Sequence, residues 1–243
     1  MNSLELQGVH THIGRYHILH GVDLFVREGQ VTMLLGRNGA GKTTTLRTIM
    51  GLWPASAGSI TFNGQPLQGR HTPDIAQMGI GYVPESMGIF GDLTVQENML
   101  LAACGARRAS EMDTQRLEWI FGFFPALKKF WLYPAGKLSG GQKQMLAVAR
   151  AIIEPRKLLL IDEPSKGLAP SIVNNLVQVL RELKAQRCTV LLVEQNFQMA
   201  KALGDSVAVM DNGRVVHSGA MAALADDDEM QRRLLGLSLG AHA

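Results

Sequence analysis

The chain has 243 residues, 46% hydrophobic and 19% charged, and its 24 Lys+Arg against 21 Asp+Glu leave a formal net charge of +3. That is enough apolar content for one large core or two small ones, which excludes a disordered chain, and so small a charge is no argument for a nucleic-acid partner. Three further exclusions point to a reducing cytoplasm: no run nears the ~18 apolar residues of a membrane span, no signal-like N-terminus precedes the first strand pattern, and Cys104 and Cys188 are too few for a disulfide framework.

In chain order, the first thirty residues and Ser59–Gln65 are short, alternating segments joined by Gly-containing turns, which predicts an antiparallel β layer. Val31–Leu35 (VTMLL), Ile80–Val83, Leu158–Ile161, Thr189–Val193 and Ser206–Met210 are continuous apolar runs, as suits parallel strands covered on both faces. Helical patterns lie between them, the clearest starting at Pro170 with Ile172, Val173, Leu176, Val177, Leu180 and Leu183 in one stripe. Strand–helix alternation of this kind reads as an α/β core. The stretch from about 94 to 155 is mostly helical and holds Trp119, Phe121, Phe123, Phe124, Phe130, Trp131 and Tyr133. These aromatics are expected to form a small separate helical core, the alternative being an apolar docking surface. No repeat, low-complexity stretch or linker divides the chain.

Three segments carry chemistry. Gly36–Thr43 reads GRNGAGKT and matches the phosphate-loop pattern G-x-x-x-x-G-K-[ST]. From average Gly usage a chance match in such a chain is on the order of one in a hundred. The context narrows it further, because the loop follows VTMLL and opens a helix expected to end near Gly51. Gly36, Gly39 and Gly41 leave room for backbone N–H groups to close on phosphate oxygens, with Arg37, Asn38, Ala40 and Thr44 completing the candidate nucleotide site. Lys42 is placed to reach the β- and γ-phosphates, and the Thr43 hydroxyl to hold Mg²⁺. Leu158–Pro164 reads LLLIDEP. An acidic pair after a strand is often only a loop start or a cap. Downstream of a phosphate loop, Asp162 is the candidate Mg²⁺ ligand and Glu163 the general base for an attacking water. Leu138–Gln142 reads LSGGQ and precedes a good helix, so Ser139 suits an N-cap and the two glycines expose a second anion site. An ordinary capped helix is the alternative for that pentapeptide taken alone.

The order GRNGAGKT, LSGGQ, LLLIDEP resembles the nucleotide-binding subunit of ATP-binding cassette (ABC) transporters over nearly the whole chain. The resemblance implies a P-loop NTPase α/β core with an antiparallel β subdomain and a helical subdomain inserted at about 90–155. It implies one nucleotide-binding domain over 1–236, with a tail at 237–243. It also implies ATP and Mg²⁺ as cofactors, hydrolysis of that ATP, and a head-to-tail dimer. In that dimer Ser139, Gly140, Gly141 and Gln142 of one subunit contact the ATP held by the other.

Three positions depart from the general family pattern. Glu85, in YVPESMGIF, stands where the family has Gln, and is expected near both ATP and the metal. Gln195, in LLVEQN, stands where the family has its catalytic switch histidine, and Leu168, in SKGLAP, where it has Asp. Together VPE, SKGLAP and VEQN resemble the smaller ATPase subunit of branched-chain (hydrophobic) amino acid importers, as do DNGRVVHSG and the tail RRLLGLS. Ser86-Met87 replaces that group's usual Gly-Arg, which leaves urea, amides or aromatic acids as alternative cargo. The family's adenine-stacking position falls at Ile13, with Tyr16 as substitute. The seven histidines show no metal-ligand spacing, and His10, His12, His17 and His20 are expected at the surface or a strand edge.

The implied partners are a paralogous ATPase subunit, two membrane permease subunits and an external solute-binding protein. A heterodimer is the expected pairing and a homodimer the alternative. The implied location is cytoplasmic, peripheral on the inner face of the cell membrane. Soluble ABC ATPases of DNA repair or the ribosome carry coiled-coil insertions or a second cassette, neither of which occurs here. The ATPase of a lipopolysaccharide exporter is similar in length but resembles the general family at positions 85 and 195.

Overall fold

The computed structural model describes residues 1–103 and 105–236, so Cys104 and the tail at 237–243 lie outside the described residues. The chain opens with β1 (Asn2–Ile13), β2 (Tyr16–Arg27), β3 (Val31–Gly36), α1 (Lys42–Ile49), β4 (Ala55–Phe62) and β5 (Gln65–Pro66). It continues through α2 (Thr72–Gln77), β6 (Ile80–Val83), α3 (Val95–Ala102), α4 (Thr114–Phe123), α5 (Pro125–Lys129), α6 (Gly140–Ile152) and β7 (Leu158–Asp162). It ends with α7 (Pro170–Ala185), β8 (Thr189–Val193), α8 (Phe197–Leu203), β9 (Ser206–Asp211), β10 (Arg214–Ala220), α9 (Met221–Ala225) and α10 (Asp228–Leu235).

Two sheets result. One is antiparallel, in the order β2-β1-β4-β5, and the other runs β10-β9-β3-β8-β7-β6. In the second, β3, β6, β7, β8 and β9 are parallel, and only β10 pairs antiparallel, against β9. Every residue of β7 and β8 is buried, as the continuous apolar runs require. Strand parity then sorts the side chains. Leu158 and Leu160 face the antiparallel sheet and α1, whereas Leu159 and Ile161 face the helical side. Each fully buried Leu, Ile or Val here contributes roughly 1.5–3 kcal/mol. The same period of two carries Asp162, next in the 158–160 series, to the side of the sheet that α1 covers.

The helical stretch departs from expectation. Val95, Met99, Ile120, Phe124 and Leu127 belong to one continuous cluster with Leu159, Ile161 and the rest of that sheet face, so there is no separate helical core. The physical reason is α6, which buries Met145, Leu146, Val148, Ala149 and Ile152 and so touches both the sheet and the other helices. Of the seven aromatics, Phe124 is buried and five pack half-buried on the cluster, while Tyr133 is exposed. The α7 stripe also shifts: Leu176, Val179, Leu180 and Leu183 are buried, whereas Val173 and Val177 line a groove between α7 and α8.

Candidate functional site

The ends of β3, β7 and β8 lie side by side, and the loops that leave them build the site, as carboxyl ends do in open parallel sheets. The first loop needs its glycines. A Cβ on Gly36 would sit on the Met210 carbonyl, and one on Gly41 would press on Leu19 Cδ2 at 3.0 Å. Lys42, just past Gly41, curls back and donates to Gly36 O at 2.9 Å and Arg37 O at 3.0 Å. Its ammonium is buried, which lowers its pKa, and the opposing pull of Glu163 comes second. Lys42 Nζ stands 3.8 Å from Glu163 Oε1. The loop thus presents backbone donors, a helix start and a cation to one cavity of about 360 Å³. That cavity is lined by Ile18, Asn38, Gly39, Gly41, Lys42, Thr43, Thr44, Glu85, Glu163 and Lys166.

Glu163 holds a left-handed backbone, φ 46°, which is rare for a side chain of its kind and is retained only where surroundings fix it. They do so here: its N–H donates to Val193 O at 2.9 Å. Its carboxylate accepts from Gln195 Nε2 at 2.7 Å and lies 3.6 Å from Lys166 Nζ. Gln195 spends its second amide hydrogen on Asn38 Oδ1 at 2.8 Å, so it ties the phosphate loop to Glu163. Lys166 in turn pairs with Glu85 Oε1 at 2.6 Å.

Asp162 is fully buried, and desolvation pushes its carboxyl up to about 6, ahead of the lowering effect of the Thr43 hydrogen bond. Thr43 Oγ1 donates to Asp162 Oδ1 at 3.1 Å, while Asp162 Oδ2 is buried and has no hydrogen-bond partner among the described residues. An orphaned carboxylate oxygen beside a threonine hydroxyl is a hard, all-oxygen donor set of the kind Mg²⁺ takes.

Burial of Asp162 makes stability depend on pH. Its folded value lies above the ordinary 3.8, so its contribution to stability is full below about pH 4 and is lost as pH rises through about 6. Without Mg²⁺, Asp162→Asn is expected to raise Tm by roughly 6–12 °C near pH 8, and by about half as much near pH 5. Thermal melts at the two pH values check this, and an equal shift at both would assign the effect to packing.

The structure separates some residues that the sequence groups. Ile13 is half-buried and Tyr16 exposed at the β1–β2 turn, and neither lines the cavity; Ile18 does. Gly36, Arg37 and Gln195 line a neighbouring pocket behind the phosphate loop. None of Ser139–Gln142 lines either pocket. Ser139 is the expected N-cap: its Oγ accepts from Gln142 N at 3.3 Å, and Gln142 Oε1 accepts from Ser139 N at 2.9 Å. Among the described residues no group of three or more His, Cys, Asp or Glu has the arrangement of a metal site; on β1 and β2, His10 and His12 stack on the ring of His17 and His20 tilts against it. Two residues without an assigned role prove central. Lys166 bridges two carboxylates, and Glu194 is buried beneath Gln195. Its only signal in the sequence is a carboxylate directly after four apolar strand residues, Val190–Val193.

Comparison with known proteins agrees with this geometry. The ABC transporter family model matches residues 19–166. The chain is 39% identical over 234 residues to BraG of Pseudomonas aeruginosa, a high-affinity branched-chain amino acid transport ATP-binding protein, covering 96% of this chain and 99% of BraG. It is 32% identical over 222 residues to LivF of Archaeoglobus fulgidus, a probable branched-chain amino acid transport ATP-binding protein, covering 91% and 93%. The ADP conformation of MJ1267, an ATP-binding cassette, superposes with a TM-score of 0.78 at 26% identity, covering 98% and 100%. With the phosphate loop and Glu163 lining one cavity, Asp162 bound to Thr43 and Gln195 bound to Glu163, the chain belongs to the ABC transporter family and is one of its ATP-hydrolysing cassettes.

Proposed function

We propose that this cassette energises an importer of branched-chain or related amino acids. The observation that carries the reading is the likeness to BraG, which runs through nearly all of both chains. Uptake measurements in cells lacking the gene test it: leucine uptake should fall to background while urea, acetamide and phenylalanine uptake persist. Loss of one of those others with leucine uptake intact would move the cargo to the second reading. That reading is favoured by Ser86-Met87, where Met87 takes a left-handed φ of 64° in the loop after Glu85.

In this reading ATP enters the cavity with its phosphates on Gly36–Thr44, and Lys42 leaves the carbonyls of its own loop for the β- and γ-phosphates. Thr43 and Asp162 hold Mg²⁺, with Glu85 alongside; when bound, the ion neutralises phosphate charge. Glu163 takes the proton of the attacking water, and Gln195 orients that water or donates to the γ-phosphate. Ile13 or Tyr16 meets adenine from the β1–β2 turn. Residues 1–236 act as one nucleotide-binding domain. Ser139–Gln142 serve a second subunit's ATP. Among the described residues a Cβ on Gly140 would meet nothing within 4 Å beyond its chain neighbours and its own helix backbone, so packing does not call for glycine there. The second subunit is a paralogue or, in its absence, a second copy of this chain, and the dimer sits under two permease subunits on the cytoplasmic face of the membrane, fed by an external solute-binding protein. No described helix is long and apolar enough to cross a membrane.

The permease contact falls on residues 85–99. Asn98 is fully buried and pins this loop, accepting from Phe90 N and donating to Phe90 O, both at 2.9 Å. The Phe90 ring stays half exposed, with the Arg150 guanidinium 5.1 Å from its centroid. Phe90→Asp is therefore expected to leave ATP affinity within about threefold and to lower solute uptake by tenfold or more in reconstituted vesicles. Undiminished uptake would remove the permease from this surface.

A further inference from the structure

Glu194 is 2% exposed, and among the described residues no cation forms an ion pair with it. A buried carboxylate in that position is costly unless donors surround it. Four do. Its Oε1 accepts from Ser165 N at 3.0 Å, and its Oε2 accepts from Ser165 Oγ at 2.9 Å. Oε2 also accepts from Gln195 N and Asn196 N, both at 3.1 Å. These donors come from two loops that β7 and β8 deliver side by side. Ser165 lies two residues beyond Glu163, in the segment that also bears Lys166. Gln195 is the residue whose side chain reaches Glu163 Oε1 at 2.7 Å. Asn196 caps α8, accepting from Met199 N at 3.1 Å, so the second loop is anchored to a helix.

We infer that Glu194 is a positioning residue for hydrolysis: it knots the loop after β7 to the backbone of residues 195–196, and so keeps the Gln195 amide on Glu163. It touches neither nucleotide nor the reacting atoms and acts only through Gln195. A displacement of the 165–168 segment reaches the general base by this route, because Ser165 gives two of the four donors. The inference rests on the proposed role of Glu163 as base.

The substitution that isolates the knot is Glu194→Gln. It preserves volume and one acceptor oxygen, but its amide nitrogen cannot accept from the backbone N–H groups it faces. The measurement is single-turnover ATP hydrolysis by the full chain, in excess over MgATP and at a concentration where it dimerises, with ATP binding followed separately. Glu194→Gln is expected to slow turnover about tenfold or more while the Kd for ATP stays within about threefold. The decisive step is a double-mutant cycle with Gln195→Ala. If Glu194 works through Gln195, adding Glu194→Gln to Gln195→Ala costs less than about threefold more. A purely structural carboxylate would cost the same factor in both backgrounds, and that result overturns the inference. So does a Kd that weakens in step with the rate, or full turnover by Glu194→Gln. Should Glu194→Gln lack a cooperative melt, Ser165→Ala replaces it in the same cycle, since it removes one donor and leaves the carboxylate held by three. Glu163→Gln run alongside keeps the two ideas apart. Full turnover there sinks the base assignment, whereas additivity in the cycle sinks only Glu194.

Discussion

Glu163→Gln is expected to bind MgATP as the unchanged protein does, lose nearly all single-turnover hydrolysis and accumulate as a closed ATP-bound dimer. The substitution keeps shape and the hydrogen bond from Gln195 Nε2, now to an amide oxygen, so the surroundings that fix residue 163 persist. What is lost is basicity. A carboxylate accepts the proton of an attacking water and an amide does not, a difference worth about 10²–10⁴ in rate. Gln195→His tests the neighbouring role. Glutamine spends one amide hydrogen on Asn38 and the other on Glu163, whereas an imidazole turns one ring N–H toward the same region. It therefore keeps the donor toward the γ-phosphate and loses the tie to one partner, and turnover is expected to fall about threefold to tenfold, not to vanish. Single-turnover hydrolysis of the assembled transporter, with nucleotide binding measured apart, separates the two. Turnover of Glu163→Gln within about threefold of the unchanged protein, together with an inactive Gln195→His, would hand the central role to Gln195.

The parts of the site that local chain geometry dictates were legible in the sequence. GRNGAGKT specifies its own backbone, because Gly36 and Gly41 stand where a side chain would strike Met210 or Leu19. LLLIDEP specifies which way its first carboxylate faces, because a strand alternates and Asp162 follows Leu158 and Leu160. LSGGQ announces its N-cap by residue type. What stayed hidden depends on loops that meet only in three dimensions. Glu194 reads as the end of a strand until Ser165, 29 residues earlier, is seen to supply two of its donors. Lys166 reads as a surface lysine until Glu85 and Glu163 are found on either side of it. Ile18 had no signal of its own, because the family resemblance fixes alignment positions such as Ile13 and Tyr16, not which further side chain of the β1–β2 hairpin lines the cavity. The separate helical core failed for a related reason. Periodicity shows that α6 is apolar on much of its circumference, but not that its two sides belong to one cluster.

Chains carrying Lys42→Ala and chains carrying Ser139→Arg are each expected to be inactive alone and to regain hydrolysis when mixed. The motive is the geometry of one chain, in which Lys42 sits in the nucleotide cavity while Ser139–Gln142 line neither it nor the pocket behind it. If LSGGQ completes a second subunit's site, a mixed dimer joins the intact Lys42 of one chain to the intact Ser139 of the other. Its second site carries both lesions. Random mixing in equal amounts makes half of the dimers mixed, so about a quarter of the full rate should return if the two sites work independently. Ser139 also caps α6, and its loss costs roughly 1 kcal/mol of helix stability. Gly140→Arg is the cleaner block, because a Cβ there meets no described atom within 4 Å outside its chain neighbours and its own helix backbone. It should give the same recovery with an unchanged melting temperature. ATPase rates of each variant and of the mixture, read against chain concentration, decide the matter. A mixture no faster than the mean of its components would end the shared-site idea for this chain paired with itself. Recovery of each variant only on adding the paralogous subunit would make the working dimer a heterodimer. Full-rate hydrolysis by a verified monomer would end it for either pairing.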